Sequence, residues 1–207
     1  MPNSKWSINA FYTNYRINQE HNIRLTLDTL KLQQFSDNLN VNNTLSLGTK
    51  EIRHILSGGI NYQQLRDDNN MEETNSKTTS VNPNVGYRFQ NTPSKFGVQA
   101  NINLNQFTTD LNKTVRWGYT LGANKSVLDD KLKFNGSATY FKINVNGVAQ
   151  SNALSFNGRV GYTIKEQHIF DLSFNLVTRT TVNNESPAVR DLLANFGYTY
   201  NFGGRKL

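Results

Sequence analysis

Three histidines and no cysteine set the limits on chemistry in this 207-residue chain. His21, His54 and His168 are its neutral-pH acid–base groups, and none stands in a spacing that assembles a reaction centre. No HExxH pair, glycine-rich phosphate loop or nucleophile elbow occurs. Without cysteine, thiol catalysis, disulfide frameworks and zinc fingers drop out. Asp67, Asp68, Glu72 and Glu73 would hold a divalent cation if their oxygens converged. The glycine and terminal glutamate of a calcium loop are missing, however, and a solvated loop accounts for them better. The expectation is a protein that is not an enzyme and that carries no cofactor and no metal.

The remaining chemistry is electrostatic. Twenty-two basic side chains against 15 acidic ones give about +7. A nucleic-acid footprint would cluster these charges and interleave them with aromatics. Here they are spread along the chain, so no nucleic-acid partner is expected. Their meaning depends on the elements that carry them.

Those elements read as strands. From Leu154 to Ile164, apolar side chains fall on even positions and polar ones or glycine on most odd positions. Period two places alternate residues on opposite faces of a strand. The same alternation runs through Leu39–Leu47, Val81–Phe89, Phe96–Leu104, His168–Leu176 and Leu192–Phe202. It predicts about eleven strands, near 5–18, 22–34, 38–49, 53–66, 78–90, 95–108, 113–126, 131–143, 150–164, 167–180 and 190–202. Most span 12–15 residues, against about 5–6 for an ordinary strand. Only 36% of the chain is hydrophobic, and no run of about 18 apolar residues exists to form a membrane helix.

A soluble sandwich also alternates, burying one face and wetting the other. Long strands in a regular meander, with aromatics gathered toward their ends, fit a transmembrane β-barrel better. The predicted fold is therefore an all-β, antiparallel, up-and-down transmembrane barrel over residues 1–207, with a polar tail at 203–207. Short turns near Gln19–His21, Gly48–Ile52, Asn91–Lys95, Val127–Asp130 and Lys165–Gln167 fall on one rim. The longer links Asp67–Lys77 and Thr181–Val189 fall on the other.

On the polar parity, among Asn, Ser, Thr, Gly and Gln, stand Arg24, Asp28, Arg88, Arg116, Lys133, Arg159, Asp171 and Arg179. Small polar residues leave an open interior, and six basic against two acidic groups would favour anions in a wet pore. Equally, these cations would pair with a plug, with a missing segment or with neighbouring carboxylates.

The last strand carries a more specific signal. Asn195–Phe202, NFGYTYNF, resembles the C-terminal assembly signal of bacterial outer-membrane β-barrel proteins. Asn195 matches its polar position, Gly197 its glycine, and Tyr200 and Phe202 its aromatics. Five residues follow Phe202, where that signal usually ends the chain. The asparagine-rich polar face, the turns SVLDDKLKF (126–134) and TIKEQHIF (163–170), and the ending YTYNF make the chain similar to barrels of the Bacteroidota type. What the resemblance implies is insertion by the barrel assembly machinery into the outer membrane of a Gram-negative bacterium, among its lipid and lipopolysaccharide. It also implies a periplasmic end for the last strand, which makes the short turns periplasmic.

Eleven is odd, whereas bacterial single-chain barrels have even strand numbers. The start MPNSKWSINAFYTNY also lacks the apolar core of a signal peptide. Together these predict the C-terminal part of a larger barrel, with N-terminal strands or a plug missing. Two functions fit: a water-lined pore for passive or receptor-type transport, or a non-conducting anchor for a missing periplasmic or surface domain.

Overall fold

The computed structural model describes residues 4–22, 29–69, 75–165, 167–182 and 188–202. They form one antiparallel sheet of ten strands in which each strand pairs with its neighbours in sequence. The strands are β1 (Lys5–Asn22), β2 (Thr29–Gly48), β3 (Ile52–Asn69), β4 (Ser76–Asn91), β5 (Phe96–Thr108), β6 (Lys113–Val127), β7 (Leu132–Val145), β8 (Val148–Ile164), β9 (His168–Thr181) and β10 (Val189–Tyr200). Among the described residues β1 and β10 are the two edges, and the sheet is not closed.

Ten strands replace the eleven expected, and the difference lies before residue 50. Gln19–His21 forms no turn: it continues β1 and pairs with Leu30–Leu32. Predicted strands 22–34 and 38–49 are largely one strand, β2. The run Phe35-Ser36-Asp37 reads as a break because Ser36 and Asp37 favour turns. In the sheet Asp37 finds cross-strand partners instead, and Ser36 accepts a bond from its own strand. The Tyr12 hydroxyl donates to Asp37 Oδ1 at 2.8 Å, Asn14 Nδ2 donates to the same oxygen at 2.6 Å, and Asn38 donates to Ser36 Oγ at 3.2 Å. With an even count, the two ends of the sheet, Lys5 and Tyr200, lie at one rim, here termed lower. The parity that suggested a larger barrel is therefore absent.

Short turns at 49–51, 92–95, 128–131 and 165–167 occupy that lower rim, as the sequence predicts. Three of them use left-handed backbone, at Lys95, at Leu128–Asp130 and at Lys165. The upper rim is less uniform than expected. It includes a two-residue turn, Asn146–Gly147, whose positive φ at both positions is the tight hairpin geometry that Asn-Gly favours.

The faces follow the alternation. The even positions of β1, β3, β5, β7, β8, β9 and β10 and the odd positions of β2, β4 and β6 share one face, on which the strands carry almost wholly apolar stretches. They make a continuous band: 6–12, 39–47, 52–62, 81–89, 96–104, 115–123, 132–140, 154–164, 168–176 and 192–200. No Asp, Glu, Lys or Arg projects into it. Its one amide, Asn43, accepts a hydrogen bond from Trp6 Nε1 at 2.5 Å. Rings gather at both edges. Tyr12, Tyr62, Trp117, Tyr119 and Tyr140 lie toward the upper rim, and Trp6, Phe89, Phe96, Phe134, Tyr162, Phe170 and Tyr200 toward the lower.

Among the described residues nothing covers this band. No described hydrophobic residue is buried, and Phe196 and Leu192 stay 71% and 70% exposed. The chain exposes 15263 Å², against about 9,800 Å² for a compact monomer of its mass.

On the polar face the packing is inverted, and glycine is the buried residue. Gly86, Gly97, Gly118 and Gly122 are buried, each beneath the amide side chain of its cross-strand partner: Asn101, Asn124, Asn103 and Gln99. A Cβ on Gly86 would collide with Asn101 Oδ1 and lie 2.7 Å from Ser57 Oγ. Gly136, on the apolar face, has its nearest neighbour at 3.9 Å. Gly86→Val should therefore cost about 1–3 kcal/mol, as overpacking does. Gly136→Ala should be neutral or stabilising by up to about 1 kcal/mol. Urea unfolding of the two variants in detergent checks both.

Candidate functional site

Register brings the charged side chains of the polar face into three adjacent rows near the lower rim. One row runs Arg53–Gln90–Gly97–Asn124–Asn135–Arg159–Ser173–Asn195. The row above it carries Arg88, Gln99, Gly122, Ser137, Asn157 and Asn175, and the row below carries Ser126, Lys133, Gly161, Asp171 and Gly197. Arg88 and Arg159 line a cavity of about 560 Å³ with Asn135, Asn157, Ser173 and Asn175.

Within this cluster one cation is neutralised. Arg159 Nη2 and Nε lie 2.8 and 2.9 Å from Asp171 Oδ1. Asp171 is flanked across both strands by glycines, Gly161 and Gly197, which leave room for the guanidinium to cross diagonally. Arg88, between Ile55 and Gln99, and Lys133, between Ser126 and Gly161, are both exposed. The amides link to one another as well: Asn175 donates to Asn157 at 2.6 Å and Asn157 to Ser155 at 3.4 Å.

The other predicted positions are dispersed. Arg116 lies higher on the same face, its guanidinium 3.8 Å from the centre of the Phe141 ring. It lines a separate cavity of about 310 Å³ with Asn82, Asn84, Asn103 and Asn105. Arg179 sits near the upper rim, opposite Ala153 and Val189. Arg24 and Asp28 lie outside the described residues.

Sequence reading missed Lys5 and Arg53, which share the parity of Ser7 and Asn9 and of Ser57 and Asn61. It also missed Asp67 and Asp191. With these, the described polar face carries seven basic and three acidic side chains along its strands. The acidic cluster proposed at 67–73 comes apart. Asp67 and Asp68 project to opposite faces of β3, and Asp68 pairs with Arg66 at 2.8 Å. Glu72 and Glu73 lie outside the described residues.

The terminal strand places Asn195 and Gly197 on the polar face and Tyr200 on the apolar one. Phe202 lies two residues past β10, 88% exposed, with its ring edge-on to Tyr200 at 4.6 Å. His168 and His54 occupy equivalent surroundings at the lower rim. Each ring nitrogen Nδ1 lies 2.8 Å from a tyrosine hydroxyl, Tyr198 and Tyr87 respectively, and each pairs across the sheet with a second ring, Tyr200 or Phe89. His21 was expected at this rim but belongs to the upper end of β1.

No family model matches the chain, and no curated protein does. Among solved structures it is similar to in-vitro folded OmpT, an outer membrane protein of Vibrio cholerae in its trimer form. The TM-score is 0.44, at 8% identity over 96% of this chain and 99% of that one.

One turn beneath the cluster is pH-sensitive. Lys95 donates from its ammonium to Asp130, linking two lower turns. That hydrogen bond, assisted by the charges of Lys95 and Lys133, holds the Asp130 carboxyl below its ordinary range. A depressed carboxylate stabilises the fold above its unfolded value, and the benefit disappears as pH falls through the folded one. Protease cleavage within 128–131 should therefore accelerate below about pH 4. In Asp130→Asn cleavage should be faster at neutral pH and less dependent on acid.

Proposed function

We propose that these ten strands form, or contribute to, an outer-membrane β-barrel whose polar face lines a water-filled passage favouring anions. One observation carries the reading: an uncharged apolar band crosses every strand on one face, with no core beneath it. Nine to eleven residues in β2–β10, at about 3.3 Å per residue and a tilt near 40°, make a belt about 23–28 Å tall. A barrel's lipid-facing belt is about 25 Å. Rings at both edges of the band suit the two water interfaces. In lipid the apolar face needs no protein cover.

The opposite face supports water rather than a second layer. Asn175 and Asn157 are hydrogen-bonded across its strands, and the cavity beside them is open and lined mainly by polar side chains. The two edge strands still present unpaired backbone, which lipid does not tolerate. In the membrane they pair with each other or with further strands. Asn195, Gly197, Tyr200 and Phe202 then serve as the handle for the assembly machinery, which adds a strand to an open edge, and the lower rim faces the periplasm. No group in the cluster is arranged as a nucleophile with its base, so the role is transport rather than catalysis.

Arg53, Arg88 and Lys133 are the cations that set selectivity, because Asp171 cancels Arg159. In planar bilayers under a salt gradient, the reconstituted protein should give discrete channel events with a reversal potential on the anion side. Arg88→Gln with Lys133→Gln should shift that potential toward zero, and Asp171→Asn should move it further toward anions. Absence of channel events would favour the anchor reading, and a cation-selective channel would overturn the charge assignment.

A further inference from the structure

Above the apolar band, β1–β4 carry a feature that the pore reading does not use. The top of the band on these strands is one cross-strand row, Tyr12–Leu39–Tyr62–Val81. Four residues further up each strand, on the same face, a second row reads Arg16–Phe35–Arg66–Lys77. Two guanidinium groups therefore flank one ring, and Lys77 stands one strand further on. The guanidinium carbons of Arg16 and Arg66 lie 4.8 and 4.5 Å from the Phe35 ring centre. Arg66 stands directly opposite Lys77, and like charges facing each other across strands are destabilising. Such a pairing gains from an anion between them.

Among the described residues, internal anions compensate only in part. Asp68 binds Arg66 at 2.8 Å. Asp37, two residues below Phe35, is occupied by Tyr12 and Asn14. Arg16 donates to the neutral Gln33 at 3.2 Å. Lys77 is exposed, and Asp110 engages its backbone N–H rather than its ammonium.

Height identifies the counter-ion. Four residues at about 3.3 Å, tilted by about 40°, raise the row roughly 10 Å above the hydrocarbon edge. The headgroup layer is about 5–8 Å deep on each side, and the long stems of arginine and lysine reach down into it. A soluble anion would gain nothing from sitting above a lipid-facing band.

We infer that Arg16, Phe35, Arg66 and Lys77 form a site for the phosphate of an anionic membrane lipid. Arg66 and Lys77 clamp the phosphate, and Arg16 on the far side of Phe35 completes the patch. The site rests on the membrane reading above, which alone places this row at headgroup depth.

The test uses the full chain in nanodiscs of phosphatidylcholine, with or without phosphatidylglycerol, scored by lipid retained in native mass spectrometry and by unfolding temperature. Wild type should retain phosphatidylglycerol and unfold at higher temperature with it. Lys77→Gln, which touches neither the ring nor Asp68, should weaken retention about fivefold, the worth of one basic side chain at such a surface. Arg16→Gln, Arg66→Gln and Lys77→Gln together should abolish the preference. Lys50→Gln, in a lower turn, should not change it. Equal retention by the triple variant, or an equal loss in Lys50→Gln, overturns the site. Protection of wild type by inorganic phosphate in pure phosphatidylcholine would point to a soluble ligand and also overturns it. Failure to insert into either bilayer refutes the membrane reading, and the site with it. Insertion into both without preference refutes the site alone.

Discussion

Removal of apolar surface from water drives most folding, and among the described residues that surface finds no cover. Every strand presents Leu, Ile, Val, Phe, Tyr or Ala to one side, and no second layer packs against them. A sheet in this state is insoluble unless its surroundings supply the cover. The requirement accounts for the length of the strands, for the absence of charge from the band and for the rings at its two edges. It also explains how a chain only 36% hydrophobic can have a defined fold. One face suffices when the solvent on that side is itself apolar.

The other face solves a different problem. A lining of long polar side chains would lose entropy on ordering and crowd the interior. Asparagine laid over glycine is compact and keeps the surface low. Charges set into such a lining are conspicuous because little stands around them. Arg159 shows what happens when space is provided: two glycines let it reach Asp171, and its charge is spent within the wall. Arg88 has no comparable neighbour.

Much of this was legible in the sequence, because alternation is a local property. It assigns Arg88, Arg116, Lys133, Arg159, Asp171 and Arg179 to the polar face without knowledge of any pairing. The short lower turns were equally readable from turn residues and changes of parity. Three things were not. The break expected at 35–37 depended on Asp37, whose turn preference is overridden by Tyr12 and Asn14, partners more than twenty positions away. The separation of Arg116 from the lower cluster depended on register, which fixes height. Arg53 was readable from parity alone but stood at the first position of a predicted strand, where face is easily overlooked.

Register returns attention to the buried glycines. A slip of one residue between strands turns every apolar side chain to the wrong face, so alternation forbids it. A slip of two does not: polarity on both faces survives, and an alternating sheet would accept it. Here it would withdraw Asn101 from Gly86 and Asn103 from Gly118, and would set bulkier residues where only a hydrogen fits. Contacts such as Gln99 over Gly122 and Asn124 over Gly97 thus favour one offset, since two residues along Asn124 would meet Gln99 instead. They give a long, repetitive sheet the one piece of information that its hydrophobic pattern cannot encode.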